Sequence, residues 1–290
     1  MRYFEQHPMI MVAIGVMGIS LSAILVRYSY APSAVTAAYR LLWTVLLMSP
    51  VVWGYEGRRR EILGMGKKAV ALCGCSGIFL ALHFFAWFES LKHTTVASST
   101  TIVCTEVIWV ALGYCLFLKG KLAVKAVIAI AVTLGGSLLV AYSDSGTGGG
   151  HLYGDILALL AAVFVACYTL IGQVARTTLS TTAYTYIVYL FSAAALVALT
   201  AAQGYSLAGY GLRAAAVGLL LSVFSTILGH SIFSWCLKYL SPAFVSASKL
   251  CEPVVAAAFA AVLFGEIPAV TQVVGGAIII GGVVFYSRGQ

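Results

Sequence analysis

The sequence predicts an all-α integral membrane protein, with ten transmembrane helices arranged as two inverted five-helix repeats. Three observations lead there. Of the 290 residues, 61% are hydrophobic and only 9% are charged, whereas a soluble domain carries roughly 25% charged residues. The chain divides into ten apolar runs, each close to the roughly 20 residues that a helix needs to cross the hydrocarbon core. It also resembles itself at an offset of 146 residues.

The ten runs lie at about 9–27, 32–53, 69–91, 94–117, 122–142, 152–173, 181–202, 213–236, 242–264 and 268–287. Short connections with turn-forming residues separate them, among them "SYAP", "GYEGRRR" and "SDSGTGGG". None is long enough to fold on its own. The Gly-rich "GTGGGHLYGD" reads as a flexible hinge between the halves, not as a phosphate-binding loop. No small-residue cleavage site follows the first run, which is therefore read as a span and not as a removable signal peptide.

The net charge of +8 is distributed as a topology signal, not as a nucleic-acid footprint. With the N-terminus inside, the cytoplasmic side holds Arg2, five cations between spans 2 and 3, Lys119, Lys121, Lys125, Arg176, Lys238 and Arg288, which is 12 of 17. The opposite side holds three, Arg27, Lys92 and Arg213, while Arg40 and Lys249 fall inside spans. The positive-inside rule then puts both termini in the cytoplasm. The protein is expected as a multi-pass component of a cell membrane, a prokaryotic inner membrane.

At the offset of 146, "LKHTTVASSTTIVCTEVIWVALG" aligns with "LKYLSPAFVSASKLCEPVVAAAF". Glu106 falls on Glu252, Lys92 on Lys238, and Gly135 and Gly136 on Gly281 and Gly282, without a gap over about 45 residues. Each half, 1–145 and 146–290, holds five spans. Because five is odd, the second half enters the membrane from the opposite face. That is the inverted-repeat architecture of secondary transporters, whose site lies at the midplane between the repeats.

Two five-span halves, an Arg early in span 2 ("AAYRLLW") and "ASKLCEPVVAAAFAAVLFGEIP" resemble the EamA-type carriers of the drug/metabolite transporter superfamily. The likeness covers essentially the whole chain. It departs in the first half, where Val107 stands opposite Pro253 and Gly120 opposite Glu266. The resemblance implies an inverted-repeat carrier for small metabolites, most often an exporter.

The residues that carry chemistry are those with polar or charged groups inside apolar runs. A lone charge at the bilayer centre costs roughly 2.5–3.5 kcal/mol on insertion scales, so Lys249 and Glu252 must face other helices or a cavity. Three residues apart, they share a helix face. Pro253 lacks an amide hydrogen and is expected to free the Lys249 carbonyl. An ammonium, a carboxylate and a free carbonyl within one turn suit a zwitterionic or polar ligand. The alternative is a self-neutralising pair that pins span 9 to its neighbours. Glu106, with no cation one turn away, needs a distant partner or a proton. Arg40 either pairs with Glu106 or Glu252 or clamps a substrate carboxylate. His83 and His230 lie mid-span in spans 3 and 8, as packing residues or proton carriers. Trp87 is a cavity aromatic or core. Glu89 and Lys92 form an interfacial ion pair. "AVTLGG" and "AIIIGG" serve scaffold packing or a homodimer contact.

These residues give a candidate substrate site of Lys249, Glu252, Arg40, Glu106, His83, His230 and Trp87. The expected function is transport of a small polar metabolite, an amino acid or a related compound, by alternating access, with either protons as a coupling ion or uncoupled facilitation. No catalytic constellation, cofactor site or metal site is expected. The seven cysteines sit in apolar runs without a C-x-x-C pair, which disfavours disulfides or metal. The alternatives are a lipid-linked substrate flippase or another non-transporting membrane protein.

Overall fold

The structure, a computed structural model, describes residues 6–94, 96–144, 152–264 and 269–288. Of the hinge read at 146–155, residues 146–151 lie outside them, as do the boundary between the halves and Glu266 of the resemblance, whereas Leu152–Asp155 form the first turn of a helix and not a flexible segment. Every regular element among the described residues is helical. In chain order these are α1 (Pro8–Ser20), α2 (Ser22–Arg27), α3 (Ser33–Trp53), α4 (Glu56–Leu63), α5 (Lys67–His93), α6 (Val96–Cys104), α7 (Glu106–Phe117) and α8 (Val124–Asp144). There follow α9 (Leu152–Ala175), α10 (Thr181–Ala202), α11 (Gly211–Leu220), a π-helical stretch (Leu221–Ser231), α12 (Ile232–Cys236), α13 (Pro242–Ser248), a 3₁₀ turn (Lys249–Cys251), α14 (Glu252–Phe264) and α15 (Val270–Ser287).

Among the described residues, seven helical stretches are long and apolar enough to cross a membrane: Pro8–Arg27, Ser33–Trp53, Lys67–His93, Ser99–Phe117, Leu152–Ala175, Thr181–Ala202 and Gly211–Cys236. Val124–Leu139 and Val273–Ser287 are shorter apolar helices. The ninth expected span is divided by the 3₁₀ turn at Lys249–Cys251. Side chains on the outer faces are apolar and exposed, as at Leu116 (72%), Leu138 (62%) and Leu46 (58%). An apolar surface of that extent is a surface for lipid.

Local sequence explains the helix starts. Ser180 caps α10, its hydroxyl accepting from the Ala183 amide at 3.1 Å. Ser241 caps α13 in the same way at Phe244 (3.3 Å), with Pro242 in the first turn, where its missing amide hydrogen costs nothing. The π stretch lengthens each backbone hydrogen bond to five residues. The hydroxyls of Thr226 and Ser231 donate to the carbonyls of Leu221 and Thr226, five residues back (3.3 and 3.2 Å).

Helix α5 packs against α9 and α10, and α10 packs against α3. Helix α1 lies along the π stretch and α12, α7 against α13, and α8 against α15. The offset of 146 exchanges these contacts: α5 on α9 corresponds to α12 and the π stretch on α1, α7 on α13 corresponds to α14 on α6, and α3–α10 and α8–α15 map onto themselves. Inside a bilayer the apolar effect does not drive helix association; close approach does. The paired glycines divide that task. A Cβ on Gly136 or Gly282 would stand 2.8 Å from Ile279 or 2.5 Å from Thr133, in the α8–α15 contact, whereas Gly135 and Gly281 face open space.

Gly77 gives a direct test. A Cβ there would lie 2.6 Å from the Val188 carbonyl and 2.8 Å from the Phe191 side chain, so α5 and α10 would have to separate. Gly77→Val is expected to destabilise by about 1–3 kcal/mol and to lower the thermal midpoint in detergent. Gly135→Val should leave the midpoint unchanged. Equal midpoints for the two variants would contradict this packing.

Candidate binding site

Two helices break at equivalent positions. Between α6 and α7 the break is at Thr105, whose amide reaches the Ile102 carbonyl (3.0 Å) and whose own carbonyl accepts from Ile108 (2.9 Å), both three-residue bonds. The Thr105 hydroxyl also bonds back to Ile102 (2.6 Å), competing with the helical pattern. Between α13 and α14 the break spans Lys249–Cys251, and Cys251 is the residue 146 positions beyond Thr105. Each second half-helix therefore begins with an acid, Glu106 in α7 and Glu252 in α14.

The expected free carbonyl at Lys249 is not free. The Glu252 amide donates to it, because tightening to a 3₁₀ turn replaces the four-residue bond that Pro253 cannot make with a three-residue one. The expected local pair between Lys249 and Glu252 is also replaced. The Lys249 ammonium instead meets Glu106 Oε1 at 2.8 Å, both side chains buried. The reason is the α7–α13 contact, which sets the start of one half-helix opposite the end of the other. Glu106 thus takes the distant partner that its sequence context required.

All seven predicted site residues line one cavity of ≈ 40 Å³, about three waters' worth where each needs about 10–15 Å³. Residues 146 apart share its wall: Ile19 with Val165, Val103 with Lys249, and Glu106 with Glu252. Arg40 is 1% exposed and, among the described residues, meets no carboxylate. Its Nε donates to the Thr226 hydroxyl (2.7 Å), its Nη1 to Ser22 (3.2 Å), and its plane lies 3.9 Å over the Phe84 ring. Its Nη2 has no partner. Arg40 thus pairs with neither Glu106 nor Glu252, against the ion-pair reading, although it lines the same cavity as both.

Three further features fit a ligand. Trp87 Nε1 and His230 Nδ1 are buried and unpartnered. His83 Nδ1 sits 2.9 Å from the Ala161 carbonyl; a carbonyl only accepts, so Nδ1 carries the hydrogen and the neutral ring keeps its lone pair on Nε2. His83 and Trp87 stack with planes 12° apart, and the His83 and His230 centroids are 6.2 Å apart. Glu252 also lines the cavity, and among the described residues its carboxyl has no hydrogen-bond or ion-pair partner. Unpartnered donors and a carboxyl in the wall of one cavity can engage complementary groups of a small polar solute.

Sequence reasoning missed Ser22 and Thr226, which aim Arg40. The available signal was Ser222, Ser225 and Thr226 clustered inside an apolar run; Thr44 and Ser222 extend the same polar seam (2.8 Å). Trp43 and Trp53 bond into the bundle, to the Ala215 carbonyl and the Tyr186 hydroxyl (both 3.0 Å). Glu89 meets Lys92 at 3.4 Å as expected, and His93 at 3.2 Å. The cysteines are all free, and Cys75 and Cys115 are exposed.

A charged cavity enclosed by helices long enough to cross a membrane defines a multi-pass membrane transporter, with a small-molecule substrate and a lipid surround. The EamA-like transporter family matches residues 7–142 and again residues 152–288, and the chain belongs to that family. An "Uncharacterized transporter" of Clostridium kluyveri is 24% identical over 256 residues, covering 86% of this chain and 82% of its own. A solved structure described only as "Crystal structure of protein" superposes with a TM-score of 0.77 at 16% identity, covering 98% of this chain and 97% of its own. That likeness concerns the fold.

Proposed function

We propose that this transporter is a secondary carrier that exports a small polar metabolite, an amino acid or a related compound, across a prokaryotic inner membrane by alternating access. It has ten spans in two inverted five-span repeats, 1–145 and 146–290, with both termini cytoplasmic. The observation that carries the reading is one cavity in which Arg40, Glu106, Lys249 and Glu252 converge with unpartnered donors. The wall shared by residues 146 apart and the contacts exchanged by the same offset support the repeat. So do the two separate family matches. Contacts that join the halves at opposite ends of the bundle suit gates. Glu61 accepts from the amide and hydroxyl of Ser180 (2.7 and 2.6 Å), and Thr94 donates to Asp155 (2.7 Å).

The test is counterflow in proteoliposomes loaded with unlabelled L-amino acids and presented with a labelled mixture. Uptake above protein-free liposomes is expected; uptake equal to theirs overturns the substrate assignment. Topology is checked separately. Reporter fusions after Arg60 and after Ser145 should give opposite location signals, and the same signal at both would remove the inverted repeat.

A further inference from the structure

The cavity holds two cations and two acids that are unevenly paired. Lys249 is engaged by Glu106 at 2.8 Å. Arg40 is held by hydroxyls and an aromatic face. Glu252 is left as the carboxyl without a counter-ion among the described residues, although it stands three residues from Lys249 on the same turn. We infer that Glu252 is the site's proton carrier, and that its deprotonation draws Lys249 away from Glu106. This rests on the central site proposed above and assigns its regulation.

The argument is geometric. The Lys249–Glu106 pair ties α7 of the first half to the 3₁₀ turn of the second; a Lys249–Glu252 pair would lie within one segment and tie nothing. One ammonium between two acids at equivalent repeat positions therefore has two discrete partners. In one, Glu252 carries a proton and the halves are joined across the cavity. In the other, the proton has left to cavity water, the Glu252 carboxylate takes Lys249, and the joint between the broken helices is released. Two opposing influences meet at Glu252: the start of α14 favours a negative charge, and an unpaired charge in a small cavity held away from bulk water is costly. The other titratable groups facing it are Arg40 from α3, His83 from α5, Cys104 from α6, Glu106 from α7 and His230 from the π stretch. Among these only Glu106 is a second acid, and it is already paired. The step balances as loss of one proton from a carboxylic acid to water.

The test needs no substrate, so its failure is distinct from failure of the transport reading. Infrared difference spectra of the full-length protein in lipid, recorded across pH in light and heavy water, read protonated carboxyl groups directly. A titrating carboxyl band is expected in the wild type, absent in Glu252→Gln. It should be retained in Glu106→Gln with its midpoint moved to lower pH, because Lys249 then has Glu252 as its remaining acid. A band lost in Glu106→Gln but kept in Glu252→Gln overturns the assignment, as does a band unchanged in both. Should Glu252→Gln fail to insert, Glu252→Asp decides: the shorter acid must shift the midpoint, and an unshifted midpoint overturns the proposal.

Discussion

Lys249→Ala is expected to be the most damaging single substitution in the protein. It strands the Glu106 carboxylate in a buried site, where loss of one member of an ion pair costs about 3–5 kcal/mol, and it is expected to give little folded material after extraction. Adding Glu106→Gln removes the stranded charge. Lys249→Ala/Glu106→Gln should recover most of the thermal midpoint, because removing both charges of a buried pair is far less costly than removing one. The double variant should still fail in counterflow. A double variant that transports like the wild type would mean that the pair only ties helices together.

Arg40→Lys is expected to fold but to transport poorly. It keeps the positive charge and loses the planar fork that reaches Thr226, Ser22 and the cavity in three directions while stacking on Phe84. A hydrogen bond to a charged group contributes about 1.5–3 kcal/mol, so if substrate takes the unpartnered Nη2, its loss should raise the half-saturation concentration by roughly 10- to 150-fold. Thr226→Val leaves Arg40 in place but removes the acceptor that aims it, and should give a smaller rise. The measurement is the concentration dependence of counterflow. Wild-type half-saturation in Arg40→Lys would reduce Arg40 to a tie between α3 and the π stretch.

The site residues were legible because the membrane makes them conspicuous. Arg40, Glu106, Lys249 and Glu252 are charges that lipid cannot accept, and all four line the cavity. What the sequence did not disclose was who pairs with whom. The expected Lys249–Glu252 contact reckoned only with neighbours along the chain, whereas the α7–α13 packing sets Glu106 against Lys249. Pro253 advertised a break in the second half; the matching break at Thr105 has no proline and rests on a threonine hydroxyl turned onto its own backbone, a cue too common to read alone. The repeat was visible through Glu106 and Glu252, but not that residues 146 apart would share one cavity wall, because an offset records correspondence and not proximity. The π stretch carried no pattern that distinguishes it from α-helix.

The equivalent positions around the cavity are filled unequally. Glu106 and Glu252 match, but Arg40 stands where the second half has Tyr186, His83 where it has Gly229, Trp87 where it has Phe233, and Lys249 where the first half has Val103. Phe84 and His230 occupy equivalent places and meet edge to face at 5.1 Å. A frame that exchanges its halves on changing the side of access would, with identical linings, offer the same binding energy to solute arriving from either face. This lining cannot. In the alternating-access carrier proposed above, the two end states then differ in free energy, and solute from inside and outside is expected to meet different half-saturation concentrations. Thermodynamics still forbids an uncoupled carrier from pumping. In the carrier proposed above, the inequality instead sets the solute concentration at which each face saturates.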